Sequence, residues 1–267
     1  MTGAQAKDLA HMAASSTIEQ IDDCAWRIRK AALADAIGPY CDAAHIDYAF
    51  LPEGRRFAEL RLLAMDMDST LITIECIDEL GELAGCKTEI AGITAQAMRG
   101  ELDYPQSLRK RVGLLKGLPA NALAQVYEER LRLTPGAEQL IGACKKHGVK
   151  LLLVSGGFTF FTDRLKQRLG IDYTISNRLA SADGHLTGEL IGEIVDGEAK
   201  AAKFAAVAKE LGAPRERTLA IGDGANDLKM MALAGFSVAF HAKPVVRAQA
   251  GCAISWCGLD AVLNLYE

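Results

Sequence analysis

The stretch Leu60-Arg61-Leu62-Leu63-Ala64-Met65-Asp66-Met67-Asp68-Ser69-Thr70 decides the architecture. An apolar run ends abruptly in carboxylates and hydroxyls. Continuous apolar runs of about four to eight residues suit a parallel sheet covered on both faces, where neither side chain direction meets water. The same figure recurs: Val149–Val154 runs into Ser155-Gly156-Gly157, Thr218–Ile221 into Gly222-Asp223-Gly224, and Phe236–Phe240 into His241-Ala242-Lys243. Helical segments are expected between them at Pro135–His147, Phe158–Leu169 and Lys200–Leu211. This alternation predicts an α/β fold with a doubly wound parallel sheet.

One interval breaks the rhythm. No strand pattern occurs between Thr70 and Pro135, and helices are expected at Ile74–Leu83, Thr88–Met98, Pro105–Leu115 and Asn121–Leu131. Such an insertion after the first core strand reads as a helical cap, residues 74–132, on a core of residues 59–73 and 133–267. A second insert, Asn177–Gly197, carries Asp183-Gly184 between alternating residues and predicts a hairpin. Residues 1–58 form an N-terminal appendage. Ser16 and Glu19 suggest a capping box, followed by Ile18, Ile21, Ala25, Ile28 and Ala32 at helical spacing. Asp47–Leu51 reads as a short strand, and Pro52-Glu53-Gly54-Arg55-Arg56 as a turn-like boundary.

Composition narrows the class of function. The 267 residues are 50% hydrophobic and 24% charged, enough for a sizeable core. A net charge of −4, from 34 acidic and 30 basic residues, gives no electrostatic reason to seek nucleic acid or an anionic membrane. The seven cysteines contain no CxxC pair and are expected to be small, buried, reduced thiols. The five histidines show no metal-ligand spacing. No signal pattern opens the chain, and no apolar run approaches the ~20 residues of a membrane span. The expectation is a cytoplasmic protein.

In open α/β sheets ligands bind beyond the carboxyl ends of the strands. Three strand ends deliver oxygen groups there: Asp66 and Asp68, then Ser155, then Asp223 with Asn226 and Asp227. By itself the Asp66/Asp68 pair could merely cap the following helix. Together with the Gly-Asp-Gly turn it concentrates negative charge that needs a cation, and hard oxygen ligands select Mg²⁺.

Asp66-Met67-Asp68-Ser69-Thr70 resembles the first motif of the haloacid dehalogenase superfamily. Ser155, Lys200 and Gly222-Asp223-Gly224-Ala225-Asn226-Asp227 are similar to its second, third and fourth motifs, in the same order. Within the superfamily, the nearest resemblance is to the phosphoserine phosphatase family. It is carried by Glu75–Glu79, Ser107–Val112, Val154–Phe158, Asn177-Arg178-Leu179 and Gly222–Asp227. The resemblance implies an O-phosphoserine phosphatase, acting at the last step of serine biosynthesis. Asp66 would be the nucleophile that becomes an aspartyl-phosphate, and Asp68 the general acid and base. Mg²⁺ would be held by Asp66, the Asp68 carbonyl and Asp223, with Asp227 supporting its water shell. Ser155, the Gly156 amide and Asn226 would bind phosphate, and Lys200 would neutralise charge on Asp66 and the phosphoryl group. Glu75 would pair with the substrate ammonium and Arg111 with its carboxylate, while Met98 and Tyr104 would close around it. Without the family, Arg109-Lys110-Arg111 reads as a solvated basic face, Lys200 as a solvent-facing residue and Met98 as core.

Three rival functions remain at this level. One is a phosphotransferase passing the phosphoryl group to homoserine or a related amino alcohol. Another is a phosphatase for a different small phosphomonoester. The last is a catalytically idle amino-acid sensor, against which the retained Asp66, Asp68, Lys200 and Asp223 argue. Longer bacterial members of the family carry an N-terminal region resembling an amino-acid-binding regulatory module. Residues 1–58 are too short for a complete one, so control by serine is not carried over; a reduced remnant that packs on the core or mediates a homodimer is expected.

Overall fold

The computed structural model describes residues 1–267. The appendage contains α1 (Gly3–Met12), an antiparallel pair β1 (Thr17–Gln20) and β2 (Trp26–Arg29), and α2 (Ile37–Ala44). This corrects the helix expected behind Ser16 and Glu19. The first helix lies earlier, closed by a capping box of Thr2 and Gln5. Where the helix was expected, Ile18 faces Ile28 across a hairpin. The Asp22 carboxylate explains the turn, accepting from the amides of Cys24 and Ala25 at 2.7 Å each, a local bond that competes with helix. Asp47–Leu51 likewise forms no regular strand; only Tyr48 bridges Ala253. Asp47 instead holds the chain with its side chain, accepting from the amides of Ser255, Trp256 and Cys257 at 2.6, 2.9 and 2.8 Å. The hairpin is fastened to the chain's end, where Arg27 donates to the carbonyls of Asn264 and Tyr266 and Arg29 pairs with Glu267.

The core begins with β3 (Leu62–Asp66), and a run of helices follows: α3 (Cys76–Leu83), α4 (Lys87–Met98), α5 (Tyr104–Gly113) and the short α6 (Ala122–Gln125). Then come α7 (Ala137–His147), β4 (Lys150–Phe158), α8 (Thr159–Leu169), the hairpin β5 (Tyr173–Ala182) and β6 (His185–Ile191), and α9 (Gly197–Glu210). The chain closes with β7 (Thr218–Gly222), α10 (Leu228–Leu233), β8 (Phe236–Phe240), α11 (Pro244–Arg247) and β9 (Cys252–Ile254). The seven-stranded sheet has the order β6-β5-β4-β3-β7-β8-β9, parallel except for the β5–β6 pair.

Both faces of this sheet are covered, which is why its central strands are apolar throughout. Leu63 and Met65 point into one buried cluster, Leu62 and Ala64 into the other. Asp183 (φ 50°) and Gly184 (φ 75°) make the tight turn of the β5–β6 hairpin, the geometry that two-residue hairpin loops favour. Residues of the inserted helical segment pair with that hairpin: Gly117 donates to Leu186 and Leu186 to Leu118, both at 2.8 Å. No helix is long and apolar enough to cross a membrane. All seven cysteines are free, and the expectation that they are buried fails for Cys24 and Cys257, which are exposed.

Candidate active site

Register brings the acidic groups together. Strands β3 and β7 are parallel neighbours with Met65 opposite Ile221, so Asp66 and the Gly222-Asp223 turn emerge side by side. Carboxylate oxygens of Asp66, Asp223 and Asp227 lie within 4.8 Å of one another. Gly222 is required here, because a Cβ would run into the Asp227 carboxylate. Beneath them sits Lys200, wholly buried, its Nζ 2.9 Å from Asp66 and 2.8 Å from Asp227. It reaches the site from the first turn of α9, which Asp196 caps at the Ala199 amide.

The second strand end is distorted in a useful way. Val154 pairs with Ile175 and Phe158 with Asn177, so Ser155-Gly156-Gly157 bulges from the ladder. The Ser155 hydroxyl accepts from the Gly157 amide at 2.8 Å and donates to Asp68 at 3.4 Å. Both glycines are dictated by neighbours: a Cβ on Gly156 would strike the Tyr104 hydroxyl, and one on Gly157 would come within 2.6 Å of Asp68. Tyr104, at the start of α5, donates to the Gly156 carbonyl at 3.2 Å, and Asn177 donates to the same oxygen at 2.8 Å.

Asp68 does cap a helix, as the simpler reading of the Asp66/Asp68 pair allowed, but with one oxygen only. Its Oδ1 accepts from the Cys76 amide at the start of α3, at 2.9 Å, leaving Oδ2 toward Ser155. Glu75, one residue before that helix, accepts from the Ser69 hydroxyl at 2.7 Å. A cavity of about 670 Å³ opens above these groups. Asp66, Asp68, Glu75, Met98, Tyr104 and Arg111 line it, as do Gly156, Asp223 and Asn226. Ser155, Lys200 and Asp227 are buried behind its wall. Met98 is 67% exposed, so it stands at the rim rather than in the core.

The electrostatics follow from this crowding. Burial, reinforced by Asp227, pushes Asp66 well above the usual carboxylate range, and Lys200 only partly opposes it. Burial and then Glu75 push Asp68 up to about 7. Burial, Asp227 and Glu75 push Asp223 up to about 6. Burial alone would lower the Lys200 ammonium, but Asp227 and Asp66 outweigh it and hold the charge on. One buried ammonium thus stands against three carboxylates. An oxygen-only donor set with excess negative charge, free of His and Cys, fits a hard divalent cation.

Several contributors escaped the sequence reading. Asn177 was part of a recognised segment without a role, yet it ties Gly156 to the Val195 amide. Thr70 donates to Asp223 at 3.4 Å. Asp78, Ser107, Lys229 and Lys243 also line the cavity. Asp78 and Ser107 lay in segments that carried the resemblance, without a role assigned to them, and Lys243 follows the end of an apolar strand run; Lys229 carried no signal.

The sequence model of the haloacid dehalogenase-like hydrolase family matches residues 63–232. A phosphoserine phosphatase of Polaromonas sp. is 54% identical over 217 residues, 79% of this chain and 92% of that protein. Among solved structures, a probable phosphoserine phosphatase from Vibrio cholerae in unliganded form superposes with a TM-score of 0.83. Its sequence is 38% identical, and the match covers 99% of this chain and 83% of that one. A substrate-bound phosphoserine phosphatase complex superposes with a TM-score of 0.73 at 40% identity, covering 78% of this chain and 99% of the other.

Proposed function

The chain belongs to the haloacid dehalogenase-like hydrolase family, and from that premise we propose that it hydrolyses O-phosphoserine to serine and phosphate, using Mg²⁺ and an aspartyl-phosphate on Asp66. It is a phosphoric monoester hydrolase, like the phosphoserine phosphatases it is similar to. The observation that carries the substrate reading is the lining of the cavity. Asp66, Asp223 and the Gly156-Gly157 part of the bulge suit a phosphoryl group, and Glu75 and Arg111 in the same lining suit an ammonium and a carboxylate.

Mg²⁺ held by Asp66, Asp223 and the Asp68 carbonyl, with Asp227 supporting its waters, would offset repulsion between carboxylate and phosphate. Asp66 attacks phosphorus, and the bond from phosphorus to the seryl oxygen breaks. Asp68 gives that oxygen a proton. A carboxyl pushed up to about 7 suits a group that must carry a proton at neutral pH. Water then attacks the acyl phosphate while Asp68 takes its proton back, releasing phosphate and restoring Asp66. Ser155, the Gly156 amide and Asn226 hold phosphate oxygens. Lys200, pinned between Asp66 and Asp227, favours the ionised form of Asp66 and orients it. Closure of the helical segment 74–132 over the bound molecule, with Met98 at the rim, excludes bulk water.

Phosphate release from O-phosphoserine, measured beside a panel of small phosphomonoesters in Mg²⁺ and in EDTA, tests the reading. The expected result is release with Mg²⁺, none with EDTA, and preference for O-phosphoserine. A phosphorylated product on adding homoserine would assign a transferase instead, and no turnover of any ester would leave a binding protein.

A further inference from the structure

Four buried side-chain polar atoms have no hydrogen-bond partner: Trp26 Nε1, Arg55 Nη1, Ser107 Oγ and Arg111 Nε. The first two lie away from the cavity, and Arg55 is stacked on the rings of Phe236 and Tyr266. The last two belong to one helix, α5, and both residues line the cavity. Residues four apart in a helix share a face, one turn above the other.

Ser107 is 1% exposed. A buried helical serine ordinarily satisfies its hydroxyl on the carbonyl four residues back. Here the Asp103 carbonyl accepts from the Ser107 amide at 3.0 Å, and the hydroxyl makes no bond to it. Leaving such a group unpaired is unfavourable unless something entering the cavity completes it. Its neighbour one turn on is a guanidinium whose Nε is in the same condition. Two unsatisfied donors stacked on one face, one of them cationic, suit the two oxygens of a single carboxylate. An ammonium, by contrast, is drawn to Glu75.

We propose that the Ser107 hydroxyl donates to the carboxylate held by Arg111, making Ser107 a specificity residue for phosphorylated amino acids over other phosphomonoesters. The inference rests on the phosphoserine reading above. Ser107→Ala removes only the hydroxyl. It is tested on O-phosphoserine, on O-phosphoethanolamine, which keeps the ammonium but lacks the carboxylate, and on p-nitrophenyl phosphate, which lacks both. For O-phosphoserine kcat/KM is expected to fall about tenfold or more, chiefly through KM; for the other two it should change by less than about twofold. The melting temperature without ligand should not fall, because no internal hydrogen bond is lost. Equal losses on all three esters would make Ser107 structural and overturn the proposal, as would unchanged use of O-phosphoserine. If the wild type itself shows no preference for O-phosphoserine over O-phosphoethanolamine, the substrate reading fails and this inference falls with it. A wild-type preference that is undiminished in the variant overturns the Ser107 assignment alone.

Discussion

Replacing Lys200 with Met removes the one buried positive charge of the site while keeping the length of the side chain. The ammonium lies 2.9 Å from Asp66 and 2.8 Å from Asp227, out of contact with solvent. Deleting one member of such a group costs about 3–5 kcal/mol, because the carboxylates stay buried and uncompensated. At about 2–4 °C per kcal/mol for a chain of this size, the metal-free variant should melt roughly 6–20 °C below the wild type near pH 8. The deficit has a required pH dependence. Asp223 is pushed up to about 6 and Asp68 to about 7 from an ordinary 3.8, with Asp66 raised as well. Between those values the folded form binds more protons than the unfolded, so these groups withdraw stability as pH rises through the window. Lys200 is among the causes that lower all three, so its loss moves them higher and deepens the fall at alkaline pH. Toward about pH 5 protons replace the missing charge and the deficit should shrink; saturating Mg²⁺ should shrink it near pH 8. Thermal melts of both proteins at the two pH values, in EDTA and in Mg²⁺, supply the comparison. A deficit of the same size in all four conditions would refute the electrostatic argument and leave Lys200 as packing.

Other perturbations separate the roles of individual groups. Asp66→Asn should lower turnover by at least about a thousandfold without lowering the melting temperature, since it neutralises a desolvated carboxylate and leaves the Lys200–Asp227 pair; substantial residual turnover would overturn the nucleophile assignment. Arg111→Ala should reduce kcat/KM for O-phosphoserine about thirtyfold to several thousandfold, as truncation of a buried charge pair does, while sparing p-nitrophenyl phosphate; equal losses on both would refute its carboxylate role. Tyr104→Phe removes the 3.2 Å bond to the Gly156 carbonyl, worth about 1 kcal/mol, so amide exchange in α5 should quicken by about fivefold, and unchanged exchange would mean the bond does not restrain the helix.

Much of the core was legible because its determinants are local. Each apolar run sits between two covered faces and ends where the chain leaves the sheet, so the residue after the run marks the binding edge; Phe236–Phe240 lies within the limits read from sequence. Convergence of Asp66 with Asp223 required that β3 and β7 be parallel neighbours; the alternation of runs and helices implied the parallel sense, and their adjacency came from the structure. Lys200 was not legible from spacing, since only the packing of α9 carries it beneath the strands. Arg111 shows why helix rotation matters: Arg109 and Lys110 are exposed, and Arg111 alone of the three lines the cavity. The appendage was misread because Ile18, Ile21, Ala25, Ile28 and Ala32 fit a helical stripe. The Asp22 turn and the docking of Arg27 and Arg29 on the chain's end decide for a hairpin, and the second of these lies some 240 residues away in sequence.

Asp68 occupies a position that joins the chemistry to the inserted helices. The segments entering and leaving the inserted helices are tied together: Thr73 donates to the Arg132 carbonyl, Thr134 donates to the Leu71 carbonyl, and Ile72 forms an isolated antiparallel bridge with Leu133, a short neck. Asp68 precedes this neck and binds across it, one oxygen on the first amide of α3 and the other toward Ser155 on β4. Ser69 and Glu75 span the same short segment with a second bond. Any rotation of α3 relative to the sheet must therefore move the Asp68 carboxylate or break its bond to Cys76. Under the proposed mechanism, a ligand ammonium that drew Glu75 inward would act on the same link, so that interaction with a nonreacting part of the substrate would align Asp68 as proton donor. That is a route by which remote binding raises turnover instead of merely tightening the complex. It accounts for a polar residue capping a helix of the insert when a serine or threonine of the insert itself would cap it equally well.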